Sequence, residues 1–480
     1  MMNAKNKEKY NQYFTNIEIA KFMASLVNLD KEKREINILD PGAGEGILGI
    51  EAVEYIVSNS NISTISLTAY EIDKVLSTIL KSDYERLKQD LALRGIAFKY
   101  KVSNRDFLNV VSERMKSHFD LVIMNPPYEK IAKNSKEYKA MEKQGYSKTN
   151  LYSSFIEKSL DFLKEEGQLI AIIPRSFANG TYFSSFRENV FSNSNLTNIH
   201  LFETRKLFTD VLQENIIIKT EKKAAEKNSD VIISYSIDND VLENSESVTL
   251  KNHEIIDVKK KFQLRIMKDN QDFEIMRNIH ALPCKLQDLK LEVSTGPIVD
   301  FREGRDFKRS DFELFTVPYL FPEHFNLATK MLNWPRYPIN KANYIINDDA
   351  IRSKLRKNGN YILVKRFSSK EETRRINAAL WLSNFTEEEL VGFDNKVNYY
   401  HFNKEGLDLD IAKGVCLYLN STIVDRYFRQ VSGNTQVNVS DLRNLNYPDR
   451  ESLIAIGNQW NLGGDISQDA IDDLINNRIF

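Results

Sequence analysis

The stretch Ile36-Asn37-Ile38-Leu39-Asp40-Pro41-Gly42-Ala43-Gly44-Glu45-Gly46 reads as a buried strand that ends in an acid and breaks into a glycine loop. Ile47, Ile50, Val53 and Val57 follow near helical spacing, so a helix is expected over 47–57. Strand, glycine loop and helix open a βα unit whose loop lets a ligand reach the backbone, because no side chain stands in the way. Working outward, short apolar runs at 66–72, 98–104, 119–124, 168–174, 197–202 and 215–220 alternate with helical patterns, one of them over 151–163. That alternation predicts an α/β, Rossmann-like domain with a parallel sheet wrapped by helices, its first and fourth strands adjacent.

Composition narrows the class. The 480 residues are 42% apolar and 28% charged with 18 Gly and 11 Pro, which excludes a disordered or collagen-like chain. Lys plus Arg total 66 against 67 Asp plus Glu, so any basic surface must be local. Cys284 and Cys416 are too few for a disulfide framework and read as ordinary buried thiols; the start is too polar for a secretory segment, and no apolar run approaches a membrane span. A cytoplasmic protein is expected. The chain turns polar from Lys219 to about Lys261, which places a domain boundary near residue 245. Residues 246–480 read as a second, mixed α+β domain in which aromatic and basic residues lie close together, as in a recognition unit.

Two ligands compete for the glycine loop. Gly44-Glu45-Gly46-Ile47-Leu48-Gly49 fits G-x-G-x-x-G, and Glu71 stands where a ribose-binding acid belongs, so a dinucleotide is a fair rival. Asp40 and Glu45 would repel a pyrophosphate but attract the ammonium and sulfonium groups of S-adenosyl-L-methionine. On that reading Gly42 and Gly44 cradle the cofactor, Glu71 accepts the ribose hydroxyls, and Asp106 accepts the adenine amino hydrogen.

The run 119–124 leads directly into Asn125-Pro126-Pro127-Tyr128. Two prolines hold the loop stiff and fix the direction of its carbonyls. Rigid acceptors suit amine methylation: the Asn125 side-chain oxygen and the Pro126 carbonyl each take one amine hydrogen, and the lone pair is freed from the ring. Tyr128 supplies a flat face for the target base. No metal is expected in such a reaction.

Asp40 to Gly46 and Asn125 to Tyr128 resemble motifs I and IV of the amino-directed DNA methyltransferases of restriction–modification systems. Tyr13-Phe14-Thr15 before a helix resembles motif X, which comes first in the gamma arrangement and contacts the cofactor, with Thr15-Asn16 standing where the family usually has Thr-Pro. Leu207-Phe208-Thr209 resembles motif VIII, whose aromatic, here Phe208, packs against the flipped base. Segments beginning at Val293, Val364 and Ser432 are similar to the PaeR7I, BsuBI and PstI type modification methylases. The resemblance implies a catalytic methyltransferase domain over 1–245 and a DNA target recognition domain over 246–480. It implies methylation of the N6 amino group of adenine in double-stranded DNA after base flipping, and a cognate restriction endonuclease as functional partner.

In the second half, Lys365, Arg366, Lys370, Arg374 and Arg375 beside Phe367, Ser368 and Ser369 read as a phosphate-contacting set, and Arg302, Arg305, Lys308 and Arg309 as another. Gln436, Asn434 and Asn438 are candidates for base contacts; a solvated charged face is the competing reading of each cluster. The segment Lys130 to Lys148, partly neutralised by Glu129, Glu137 and Glu142, has two readings, a solvated charged stretch and a disordered arm that orders on DNA. Cytosine C5 methylation would need a cysteine after the fourth strand, where there is none. Cytosine N4 methylation, usually with Ser at the Asn125 position, and a catalytically silent DNA-binding specificity subunit are the alternatives.

Overall fold

The structure, a computed structural model, describes residues 15–480 apart from 111–114, 181, 203–213, 225, 237–245, 303–306, 339–341, 369–371 and 432–435. It divides into two compact units between Asp269 and Asn270. The boundary expected near 245 falls outside the described residues. The strand that follows it, Glu246–Lys251, is hydrogen-bonded into the sheet of the first unit.

The first unit is built, among the described residues, on a nine-stranded sheet: β1 (Glu35–Pro41), β2 (Thr64–Tyr70), β3 (Ala97–Ser103), β4 (Phe119–Met124), β5 (Leu163–Pro174), β6 (Asn195–Phe202), β7 (Asn215–Glu221), β8 (Asp230–Ser236) and β9 (Glu246–Lys251). Their order is β3-β2-β1-β4-β5-β7-β6-β8-β9. The first five run parallel, with β1 between β2 and β4. The sheet is mixed beyond them, because β7 lies antiparallel between β5 and β6 and β9 lies antiparallel to β8. An antiparallel neighbour needs no helical crossover, and alternating apolar runs do not reveal its direction. β4 is buried along its whole length, as a strand covered on both faces must be.

Helices α1 (Ile17–Ser25), α2 (Ile47–Asn59), α3 (Lys74–Leu93), α4 (Lys136–Gln144), α5 (Leu151–Phe162) and α6 (Ser184–Asn193) accompany this sheet. Asn16 caps α1, its side chain accepting the Glu18 amide at 3.0 Å, so the asparagine in place of proline after Thr15 still starts the helix. The expected basic arm is instead structured: it contains α4, with Ser135 as N-cap, Gly145 as left-handed C-cap and Met141 buried.

Asp120, at the start of β4, pins the register of three strands. Its carboxylate accepts the Asn37 amide of β1 at 2.8 Å, Lys164 of β5 at 2.9 Å and Lys33 at 2.5 Å. Burial alone would raise its pKa, but the two lysines and the amide hold it below the usual carboxylate value.

Among the described residues the second unit has two sheets. Tyr361–Lys365 and Ala378–Trp381 lie at the centre of a six-stranded one, while Thr316–Leu320 and Leu390–Phe393 belong to a five-stranded one. A shared apolar cluster takes Tyr361, Trp381 and Tyr399 from the first and Leu320 and Phe393 from the second, so much of the aromatic content is core rather than recognition surface. Five helices from Leu409–Leu419 to Gln468–Ile479 follow, which makes this unit α+β. Cys416 is buried and Cys284 only partly so. No described helix is long and apolar enough to cross a membrane.

Asp120→Asn leaves two lysines facing a neutral amide. It is expected to lower unfolding free energy at neutral pH by about 1.5–3 kcal/mol, measured by urea denaturation. A depressed folded pKa stabilises above the unfolded value and is lost as pH falls through the folded one, so the gap to wild type should close in acid.

Candidate active site

The β1–α2 corner depends on backbone that only glycine adopts without strain. Gly42, Gly44 and Gly46 have φ of +78°, +57° and +81°. The Gly42 and Ala43 amides both donate to the Tyr70 carbonyl at 2.9 Å, which turns the chain over the end of β2. A Cβ at Gly46 would meet Leu80 at 2.2 Å, and one at Gly42 would stand 3.5 Å from Phe155. Beside this loop lies a cavity of about 430 Å³. Its walls bring together Gly42, Gly44, Glu71, Asp106, Asn125 and Pro126, which the sequence had marked from four separate segments.

Glu71 is buried where β2 ends, and its two oxygens accept the amides of Gly44 at 2.8 Å and Asp73 at 2.7 Å. The carboxylate is therefore fixed in rotation at the cavity wall. Asp106 follows β3 and accepts the Leu108 amide at 2.9 Å and the Asn109 side chain at 2.8 Å. Burial raises both pKa values, and the backbone amides pull them partly back. Ile72, half exposed, and Phe107 contribute apolar wall between these acids. Sequence reasoning did not single them out, although an exposed isoleucine directly after an acid at a strand end is a readable signal.

Asp40 does not line the cavity. It is 1% exposed beneath the loop, and a Cβ on Gly49 of α2 would lie 3.1 Å from its Oδ2 and 2.8 Å from the Tyr84 hydroxyl. The Gly49 amide faces the carboxylate without a full hydrogen bond. Burial pushes the Asp40 pKa up to about 7, against that amide, and Glu71 adds to the rise. Its local partner is the positive end of α2, which it couples to β1.

Asn125 stands just beyond β4 with its amide held on both sides. Nδ2 donates to Thr15 Oγ1 at 3.1 Å, and Oδ1 accepts the Tyr128 hydroxyl at 2.9 Å. Tyr128 is buried, its hydroxyl also 3.2 Å from the Ile172 carbonyl of β5. Most of its ring is therefore packed, edge-on to Tyr152 at 6.3 Å, and what faces the cavity from this turn is Asn125, Pro126 and Pro127. Thr15, expected at the cofactor, reaches the site through Asn125. The turn is tied to the start of α5, since Leu151 donates to the Glu129 carbonyl at 2.8 Å and Asn150 to that of Tyr128 at 3.2 Å. Phe208, with Tyr13 and Phe14, lies outside the described residues.

In the second unit, Phe367 and Gln436 are joined by a β-bridge, and the Val437 amide donates to the Arg366 carbonyl at 2.8 Å. Lys365, Arg366 and Gln436 thus converge although about 70 residues of sequence separate them. Phe367 is exposed, with the Arg366 guanidinium 5.5 Å from its ring centre. Arg374, Arg375 and Ser368 turn inward instead. Arg375 is buried and donates to Ser368 at 3.0 Å, and Arg374 donates to the Ser421 carbonyl at 2.7 Å. Lys308 and Arg309 pair with Asp300 at 2.6 Å and Glu313 at 2.8 Å, as a solvated charged face would, and Asn438 caps a helix. Arg305, Ser369, Lys370 and Asn434 lie outside the described residues.

Asp40→Asn removes the buried acid while keeping its shape. A raised folded pKa means the native state holds a proton that the unfolded chain has lost, so wild-type stability falls as pH rises from about 4 to about 7. The variant should gain on wild type across that window, measured by denaturant melts at both ends of it.

Residues 15–208 match the Eco57I restriction-modification methylase family. The type II methyltransferase M.PstI of Providencia stuartii is 35% identical, over 98% of this chain and 93% of that protein. M.BsuBI of Bacillus subtilis is 36% identical over 95% and 91%. The type IIL restriction-modification enzyme MmeI, solved in complex with DNA, shares the fold at TM-score 0.53 and 13% identity, over 95% of this chain and 71% of that one. With more than a third of its aligned residues identical to those of M.PstI, and likewise of M.BsuBI, along nearly its whole length, the chain belongs to the type II methyltransferases of restriction–modification systems.

Proposed function

We propose that the protein methylates the N6 amino group of adenine in double-stranded DNA, with S-adenosyl-L-methionine as donor, by base flipping and direct transfer without a covalent enzyme intermediate. The cavity fits that donor better than a dinucleotide. Glu71, Asp106, Glu129 and Glu137 line it against Arg105 and Lys130, a balance that disfavours a pyrophosphate and suits a cationic ligand. The donor supplies a methyl group on positively charged sulfur. The open backbone at Gly42 and Gly44 takes its amino-acid end, Glu71 its ribose hydroxyls and Asp106 its adenine amino group.

The observation that carries the reading is the clamped amide of Asn125 on the same cavity wall. Thr15 and Tyr128 set which face of that amide is oxygen, and Pro126 and Pro127 remove backbone freedom beside it. Asn125 Oδ1 and the Pro126 carbonyl accept the two hydrogens of the extruded amine, drawing the nitrogen towards tetrahedral shape and freeing its lone pair. Extrusion from the duplex costs a few kcal/mol, which the second unit recovers by gripping DNA. Lys365 and Arg366 contact phosphates there and Gln436 contacts a base edge, while Phe208 of the first unit packs on the flipped base. Protection from a cognate endonuclease is the role that this chemistry serves in a restriction–modification system.

Asn125→Ala should lower methyl transfer to DNA by roughly 10²–10⁴-fold while DNA affinity, measured by fluorescence anisotropy, stays near wild type. Turnover like that of wild type would refute the clamp. Replacing Lys365 and Arg366 together by Ala should weaken DNA binding and flatten its salt dependence by about two charges, with donor affinity unchanged.

A further inference from the structure

Helix α5 turns one face to the cavity. Leu151 and Phe155 line the wall, and the next positions of that stripe are Lys158 and Phe162. A lysine thus occupies a place where the pattern calls for an apolar residue. It is 1% exposed, with its Nζ 5.3 Å from the Phe107 ring centre and 6.0 Å from that of Phe162. Nζ donates to the Leu108 carbonyl at 2.8 Å and to Gln144 Oε1 at 3.1 Å, and makes no direct ion pair among the described residues. Burying an ammonium without a carboxylate in contact is costly. Packing alone would be served as well by methionine or leucine.

The ammonium sits beneath the turn that carries Asp106. Leu108 is held at both of its backbone groups, its amide by Asp106 and its carbonyl by Lys158 and, at 3.2 Å, by Gln144. Asp106 has the opposite need. Burial and the charge of Glu137 favour its neutral form, and the Leu108 amide and, behind it, the positive charge of Lys158 oppose them. We propose that Lys158 is a positioning residue for the adenosyl donor: its buried ammonium holds the Asp106–Leu108 turn in place and sets a positive charge beneath it, so that Asp106 is presented as the acceptor for the 6-amino group. This deepens the reading above and rests on the cavity taking an adenosyl ligand.

The test compares two ligands by calorimetry on the full-length protein: S-adenosylhomocysteine, and its purine analogue lacking the 6-amino group. Lys158→Met should weaken the first roughly tenfold or more and leave the second nearly unchanged, so that the preference for the amino group shrinks. Equal weakening of both ligands, or of neither, would overturn the proposal, because a merely structural role does not distinguish them. Should Lys158→Met fail to give a cooperative melt, Lys158→Gln takes its place with the same two outcomes, since it removes the charge and keeps a donor. If wild type binds neither ligand, the reading of the cavity itself fails and the role of Lys158 falls with it; wild-type binding with unaltered preference in the variant fails Lys158 alone.

Discussion

The pairing of β1 with β4 is the constraint on which the rest depends. Register places Leu39 beside Val122, so the glycine loop and the proline turn leave the sheet side by side at its carboxyl end. In an open α/β sheet this is where the strand order reverses and where a crevice opens. Asp120 secures the same strands from the far end, tying β1, β4 and β5 through one carboxylate. A slip in that register would carry Asn125 away from Gly42 and Glu71. The cavity exists because four short segments are delivered to one place by a sheet that is rigid beneath them.

Within that frame the polar groups hold one another before any ligand is present. Glu71 ties the loop through the Gly44 amide, Asp106 caps its own turn, and Thr15 and Tyr128 orient Asn125. Such preorganisation means that acceptor directions are set in advance and need no reorganisation as charge develops. It also separates two kinds of buried acid. Glu71 and Asp106 keep hydrogen-bond partners and face the cavity, whereas Asp40 lies under the loop against α2.

Much of this was legible in the amino-acid sequence. The seven apolar runs read as strands are strands, because continuous apolar runs bounded by turn residues leave a local trace, and the glycine loop and Asn125 turn announce themselves by residues that only special backbone requires. Direction was not legible: β7 has the same apolar run whichever way it points. β9 was hidden because Glu246–Lys251 is a polar edge strand, and edges carry less burial pattern. The inward turn of Arg374 and Arg375 was hidden for another reason. The Arg374 guanidinium meets the Ser421 carbonyl and the Arg375 backbone amide meets Asp425, both about fifty residues on, and a basic run alone does not tell a phosphate contact from a core hydrogen bond. Lys158 escaped notice because one lysine in a helix ordinarily faces water. By contrast, the convergence of Lys365 and Arg366 on Gln436 follows from the β-bridge at Phe367 and could not be read from spacing.

The most direct test of the central claim is to incubate unmodified duplex DNA with the protein and S-adenosyl-L-methionine and to map the methylated bases by single-molecule sequencing. The account predicts N6-methyladenine at a defined sequence. Methyl groups on cytosine, or none at all with an intact donor-bound protein, would contradict it.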